Sequence, residues 1–358
     1  MTEPTNGKRK IVLEKRLQIP RWIGITVPIA SVLMALAFAA IFLGLTGQNP
    51  LRVYQVMLSS SFFSAYGISE TIVKAIPLML ASFGVAMAFK MVVWNIGAEG
   101  QLLLGAFAAS GVALFFPAMP APLMILTMMA AAMLAGGIWA LIPGLAKSIW
   151  DVNEVITSLL LNYVAINLID YFVYGPWKNP GGSGFPETAT FEKYAWLPRL
   201  GSSRVHAGLL IALAIGVVLY FVLTRTRWGY EVKVIGESRN VARYSGMNLR
   251  KNIILVMLVS GALAGMAGMA EVSGVVHKLD PHLSIGLGYS AIIVAWLSKL
   301  NPFVIMLVSV MFGGLINGGY SIQMYGIPAA TATMLQGTIL FFVLGGDILA
   351  RYRIKVIK

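Results

Sequence analysis

The chain has 358 residues, 58% of them apolar and 11% charged, with a formal net charge of +13 and no cysteine. A soluble domain needs more polar surface than this, and the missing cysteines exclude disulfides, thiolate metal sites and cysteine nucleophiles. Apolar runs recur from end to end, which leaves an all-α polytopic membrane protein whose basic residues act as orientation signals, not as a nucleic-acid patch.

Residues 1–21 form a basic tail, and a first span follows from Trp22 to Leu45. A cleaved signal peptide has a shorter apolar region and a small-residue cleavage site, so this span is expected to be retained. Residues 47–69 read as a semi-polar connection. Further spans are expected near 71–89, 91–116, 123–146, 155–174, 207–224, 253–276, 286–300, 303–320 and 328–349. That makes about ten within a membrane domain running from 22 to 350, followed by a basic tail at 351–358. Two long polar connections stand out: 175–206, rich in Gly, Pro and aromatics, and 225–252.

Ten spans put both termini on one side. With that threading, 20 of the 27 Lys and Arg fall on the side of the termini. The positive-inside rule makes that side cytoplasmic, so 225–252 is a cytoplasmic loop and 175–206 an extracytoplasmic one.

Polar groups inside spans are the natural functional candidates, because a charge in hydrocarbon costs about 3 kcal/mol or more. Glu99 and Asn95 fall within the third expected span, four residues apart and so on one helical face. Gly97 and Gly100 between them permit an unwound or tightly packed segment. The pair either lines a translocation path or ties helices together as a buried polar knot, and the residues alone leave both readings open. Asn162, in the middle of the fifth span, faces the same choice. Glu271, near the outer end of the seventh span and close to His277, is a fourth candidate. Gly261, Gly265 and Gly268 in that span give small-residue spacings that let helices pack closely.

The 225–251 stretch is the most densely basic internal segment, with seven Lys or Arg and two acids. Ser238 is placed to cap a short helix through Arg239 to Ser245, and Gly246 suits the left-handed position that ends one. Such a helix reads as a handle by which another protein drives the membrane domain. No GxxxxGK[ST], GxSxG or HExxH occurs, so neither a nucleotide-hydrolysing nor a hydrolase constellation is available in the chain itself.

Four separated stretches carry a family resemblance: VVWNIGAEGQLLLGA (92–106), DVNEVITSLLLNYVA (151–165), GYEVKVIGESRNVARYSGM (229–247) and GLGYSAIIVAWLSKLNP (286–302). Together they resemble permease subunits of ATP-binding-cassette importers. The family is that of the branched-chain amino acid, ribose and simple-sugar permeases, with the nucleoside (guanosine-type) permeases as its nearest branch. The resemblance spans about residues 70–350. It implies a prokaryotic cell-membrane protein, with no cofactor of its own, that pairs with a second, different permease subunit. It also implies a cytoplasmic ATPase that binds the ATP and an extracytoplasmic solute-binding lipoprotein. The coupling helix of such importers carries over to 237–246, with Glu237, Arg239, Val241, Arg243, Tyr244 and Gly246 as its contact residues. Val241 and Tyr244 share a face at i and i+3, and Arg239 and Arg243 are spaced to meet acids. The solute is expected to be a nucleoside, with a simple sugar the alternative. An ion-coupled secondary transporter, which typically carries broken helices at the midplane, is the competing class.

Overall fold

The computed structural model describes residues 10–15, 20–182, 184–284, 286–328 and 330–357. The basic side chains expected in the two tails lie outside what is described. In chain order the elements are β1 (Lys10–Lys15), α1 (Arg21–Leu45), α2 (Pro50–Phe62), α3 (Ala65–Lys90), α4 (Ala98–Phe115), α5 (Ala121–Trp150) and α6 (Glu154–Tyr174). They continue as α7 (Gly208–Arg225), α8 (Arg227–Glu237), α9 (Arg239–Tyr244), α10 (Leu249–Glu271), α11 (Leu287–Leu297), α12 (Pro302–Gln323), α13 (Ala330–Arg351) and β2 (Tyr352–Ile357). A single π turn, Val272–Val276, extends α10.

The protein is an all-α polytopic membrane protein. Among the described residues nine helices are long and apolar enough to cross a bilayer. The eighth expected span, 286–300, is corrected: its helix, α11, has 11 residues. It is therefore about 16 Å long and cannot cross a hydrocarbon core of about 30 Å. The third expected span is also corrected. Residues 91–97 are not helical, and α4 begins only at Ala98. Asn95 and Glu99 therefore do not share a helical face. Hydropathy misplaced both boundaries because the irregular residues Met91, Val92, Val93 and Ile96 are as apolar as helix residues.

The chain divides into two compact units, 57–318 and a smaller one of 1–56 with 319–358. In the smaller unit α1 packs on α13, and Tyr54 donates a hydrogen bond to the Leu36 carbonyl at 2.7 Å. The strands β1 and β2 pair antiparallel, Lys10 opposite Ile357.

In the larger unit α10 is central, packed against α3, α4 and α5. The approach is set by glycine: a Cβ on Gly265 would lie 2.1 Å from the Ala132 carbonyl oxygen, and one on Gly268 2.0 Å from that of Leu102. Helices this close gain dispersion contacts that lipid cannot replace.

Candidate functional site

Because α4 starts late, the backbone of 94–97 is buried in the membrane domain without helical partners, and side chains supply them. The Trp94 amide donates to Glu154 Oε1 (3.4 Å), that of Ile96 to Ser158 Oγ (3.2 Å) and that of Gly97 to Asn95 Oδ1 (3.0 Å). From α6, Asn162 donates to the Ile96 carbonyl (3.0 Å) and accepts from the Gly100 amide (2.9 Å). Asn95 also donates to Gln101 and to Ser260 of α10, each at 2.9 Å.

Glu99 sits in the first turn of α4 and reaches the start of α11. One carboxyl oxygen accepts from the Gly286 amide (3.2 Å) and the other from the Gly288 amide (2.7 Å). A carboxyl group here meets orphan donors and the positive end of the helix dipole together. Gly288 is required by the approach, since a Cβ there would lie 2.3 Å from the Glu99 nitrogen. The structure thus gathers Asn95, Glu99 and Asn162 into one cluster, all buried. Their polar atoms bind the two interrupted segments of backbone, 91–97 and the start of α11. Tyr289, whose hydroxyl accepts from Asn162 Nδ2 at 3.2 Å, joins them from α11.

Glu271 lies elsewhere, at the outer end of α10, paired at 2.9 Å with Lys74 of α3. Lys74, which the sequence alone does not single out, is thereby placed beside Glu271. The opposite sign of two lone charges inside apolar spans was the available signal. Around this end the 175–206 connection is stitched to the segment after α10. Phe191 N donates to His277 O (2.7 Å), Leu197 N to Ser273 O (3.0 Å) and Thr188 N to Leu279 O (3.0 Å). Trp196 stacks on the His277 ring at 3.8 Å, and Arg204 pairs with Glu70 at 3.1 Å. His206 is fully buried and burial pushes its imidazole down to about 4, so it is neutral at ordinary pH. Burial also lowers His277.

At the opposite end, the 225–252 connection holds two helices. Thr226 caps α8 by accepting from the Gly229 amide at 3.1 Å. Ser238 caps α9 by accepting from the Val241 amide at 3.4 Å, and Gly246 stands at φ +74° just beyond it. The short capped helix therefore forms where the sequence placed it. Ala242 is buried, while Arg239, Val241, Arg243 and Tyr244 are exposed, Tyr244 being 95% exposed. Glu237 is the last residue of α8, not part of α9. Beneath α9, a cavity of about 240 Å³ is lined by Lys147, Asp151, Arg239, Arg243 and Arg250 among others. Lys147 donates to Asp151 and, with Arg239 and Arg243 nearby, holds its carboxyl group below the usual range.

Residues 67–344 match the family described as the permease component of branched-chain amino acid transport systems. A glucose ABC transporter permease protein of Haloferax volcanii is 37% identical over 97% of this chain and 94% of its own. A guanosine ABC transporter permease protein of Bacillus subtilis is 30% identical over 88% of this chain and 92% of its own. A nucleoside ABC transporter permease protein of Lactococcus lactis is 28% identical over 89% and 90%.

Proposed function

We propose, from the premise that this chain belongs to the permease family of branched-chain amino acid transport systems, that it forms one half of the membrane path of an ABC importer for nucleosides. The observation that carries the coupling role is α9: a capped, exposed, basic helix, ended by a left-handed glycine, within the most densely basic internal stretch of the sequence. A separate ATPase binds the outward side chains of α9. Val241 and Tyr244 supply apolar area, and Arg239 and Arg243 meet acids. Closure of the ATPase dimer moves α9 and rocks this subunit against a second, different permease. A solute-binding lipoprotein delivers the solute at the 175–206 face of a prokaryotic cell membrane.

The nucleoside reading is supported by the relatives named for guanosine and nucleosides. The 37% identity to a relative named for glucose favours a simple sugar as the second reading. Reconstitution with the ATPase, the second permease and the binding protein separates them, by asking whether nucleosides or sugars stimulate ATP hydrolysis. In the same system Arg243→Glu and Gly246→Val are expected to abolish uptake while leaving the subunit inserted. Unchanged uptake in both would overturn the role of α9, and robust uptake with no ATPase present would overturn the importer reading.

A further inference from the structure

A transmembrane helix facing lipid shows an apolar outer surface, and most of this protein's helices do. On α5 the exposed residues include Leu126, Leu134, Ile138 and Ile142, and on α7 Leu210, Val217, Val218 and Phe221. The exposed surface of α6 also carries Ile156, Leu160 and Val164, but polar groups stand among them. At i, i+4 and i+8 it carries Tyr163, Asn167 and Tyr171, with the two tyrosines 58% and 67% exposed. Tyr163 and Asn167 lie within about 5 Å of the midpoint of α6 at 1.5 Å per residue. That is the wrong depth for an interfacial aromatic belt, which sits at span ends. Among the described residues the Asn167 carboxamide has one partner, donating back to the Tyr163 carbonyl at 2.7 Å. Its remaining polar capacity points away from the protein, and a carboxamide left so in hydrocarbon is costly.

The buried side of the same helix explains what stands beside this face. Asn162, one residue before Tyr163, holds the hydroxyl of Tyr289 from α11. Tyr289 is 37% exposed. Tyr163 and Asn167 therefore share one exposed face near the midpoint of α6, with Tyr289 tied to the adjacent residue, Asn162.

We infer that the Tyr163–Asn167–Tyr171 face of α6, with Tyr289, is the wall of the water-filled path that the solute touches, and that it selects a solute with a planar unsaturated ring, a nucleobase. This rests on the importer reading. The polar groups are few and the flat rings several, which suits a base that stacks and offers one donor–acceptor edge to a carboxamide. A hexose presents hydroxyls all round and needs a denser set of hydrogen-bonding groups.

The absence of native cysteine allows a direct test in the assembled complex. Tyr163→Cys, Asn167→Cys and Tyr171→Cys are made singly and treated with a membrane-impermeant thiol reagent, with Ile138→Cys and Val218→Cys as lipid-facing controls. The three α6 positions are expected to react while the controls do not, and guanosine with its binding protein should slow the reaction at 163 and 167 several-fold. Asn167→Ala should raise the guanosine concentration for half-maximal uptake about fivefold, what loss of one ordinary hydrogen bond costs. Failure of all three α6 positions to react, with uptake intact, would overturn the wall and leave the importer reading standing. Reaction in the isolated chain but not in the complex would make this face a subunit interface and also overturn it. Protection by glucose and not by guanosine would overturn the nucleobase.

Discussion

Glu99 gives the sharpest test of what the buried cluster does. Its two carboxyl oxygens accept from the Gly286 and Gly288 amides, both at the start of a helix only 11 residues long. A half-helix of that length has no stability of its own in isolation and depends on what holds its ends. Glu99→Ala removes both acceptors and leaves two buried donors unpaired, at about 1–3 kcal/mol each, so a loss of about 4 kcal/mol is expected. Glu99→Gln keeps one carbonyl oxygen and should lose about half of that. The measurement is the thermal midpoint of the complex in nanodiscs, beside the guanosine concentration for half-maximal uptake. The order wild type, Gln, Ala in stability is expected, with the affinity of the Gln variant changed less than its stability. A Glu99→Ala complex of parental stability that no longer responds to guanosine would refute the reasoning, and would place the carboxyl group on the solute instead of on α11.

Gly265→Val should prevent α5 and α10 from closing, because its Cβ would lie 2.1 Å from the Ala132 carbonyl oxygen; fluorescence-detected gel filtration should show little folded protein. Lys74→Met alone strands Glu271 in the interior and is expected to cost about 3 kcal/mol, whereas Lys74→Met with Glu271→Leu should recover most of it, as a thermal double-mutant cycle would show. His206 stays neutral in the folded state down to about pH 4 but takes up a proton near 6.5 when unfolded. The unfolded state therefore binds more protons between those values, so stability is complete above about pH 6.5 and falls by about 3 kcal/mol as pH drops to 4. His206→Phe should flatten that slope in denaturation measured across the same range.

Most of the architecture was legible because long apolar runs bounded by charge have few alternatives in a bilayer. The capped helix at Ser238 was legible for a local reason: a serine three residues before the amide that donates to it and a glycine at the left-handed position act through their nearest neighbours only. The interrupted segments were not. Their helix-like hydropathy conceals that Val92 has φ +56° and that the amides of Trp94 and Ile96 turn to side chains sixty residues away. Nothing in a single window reveals a long-range partner. Asn95 and Glu99 stand out in the sequence as polar groups in an apolar run, yet the helical spacing that would pair them does not exist, and what joins them is the tertiary contact of α4, α6, α10 and α11. The α6 face went unnoticed for the opposite reason. Its four-residue period was plain, but tyrosine is so common at membrane surfaces that only its depth and exposure in the folded chain set it apart.

The handle and the buried cluster are joined by a short physical route, and one glycine tests it. Gly236, near the end of α8, lies against the point where α3 ends: a Cβ on it would meet the Lys90 carbonyl oxygen at 2.0 Å and the Met91 Cα at 3.3 Å. Met91 opens the irregular segment that Asn95 and Asn162 secure, and α4 follows with the Glu99 that holds α11. On its other side α8 is tied to α10, Asn252 donating to Glu231 at 2.7 Å. On the coupling role proposed for α9, a push on it would arrive first at a place where the backbone is already unwound and has little helical stiffness to oppose it. Gly236→Ala requires α8 to back away by about 1 Å, since packed atoms do not interpenetrate. It touches neither the outward face of α9 nor the cluster. ATP hydrolysis by the complex is therefore expected to persist while solute imported per ATP falls, whereas Arg243→Glu, which removes the grip itself, should lower both. Parental uptake per ATP in an inserted and assembled Gly236→Ala complex would show that the push travels by another route.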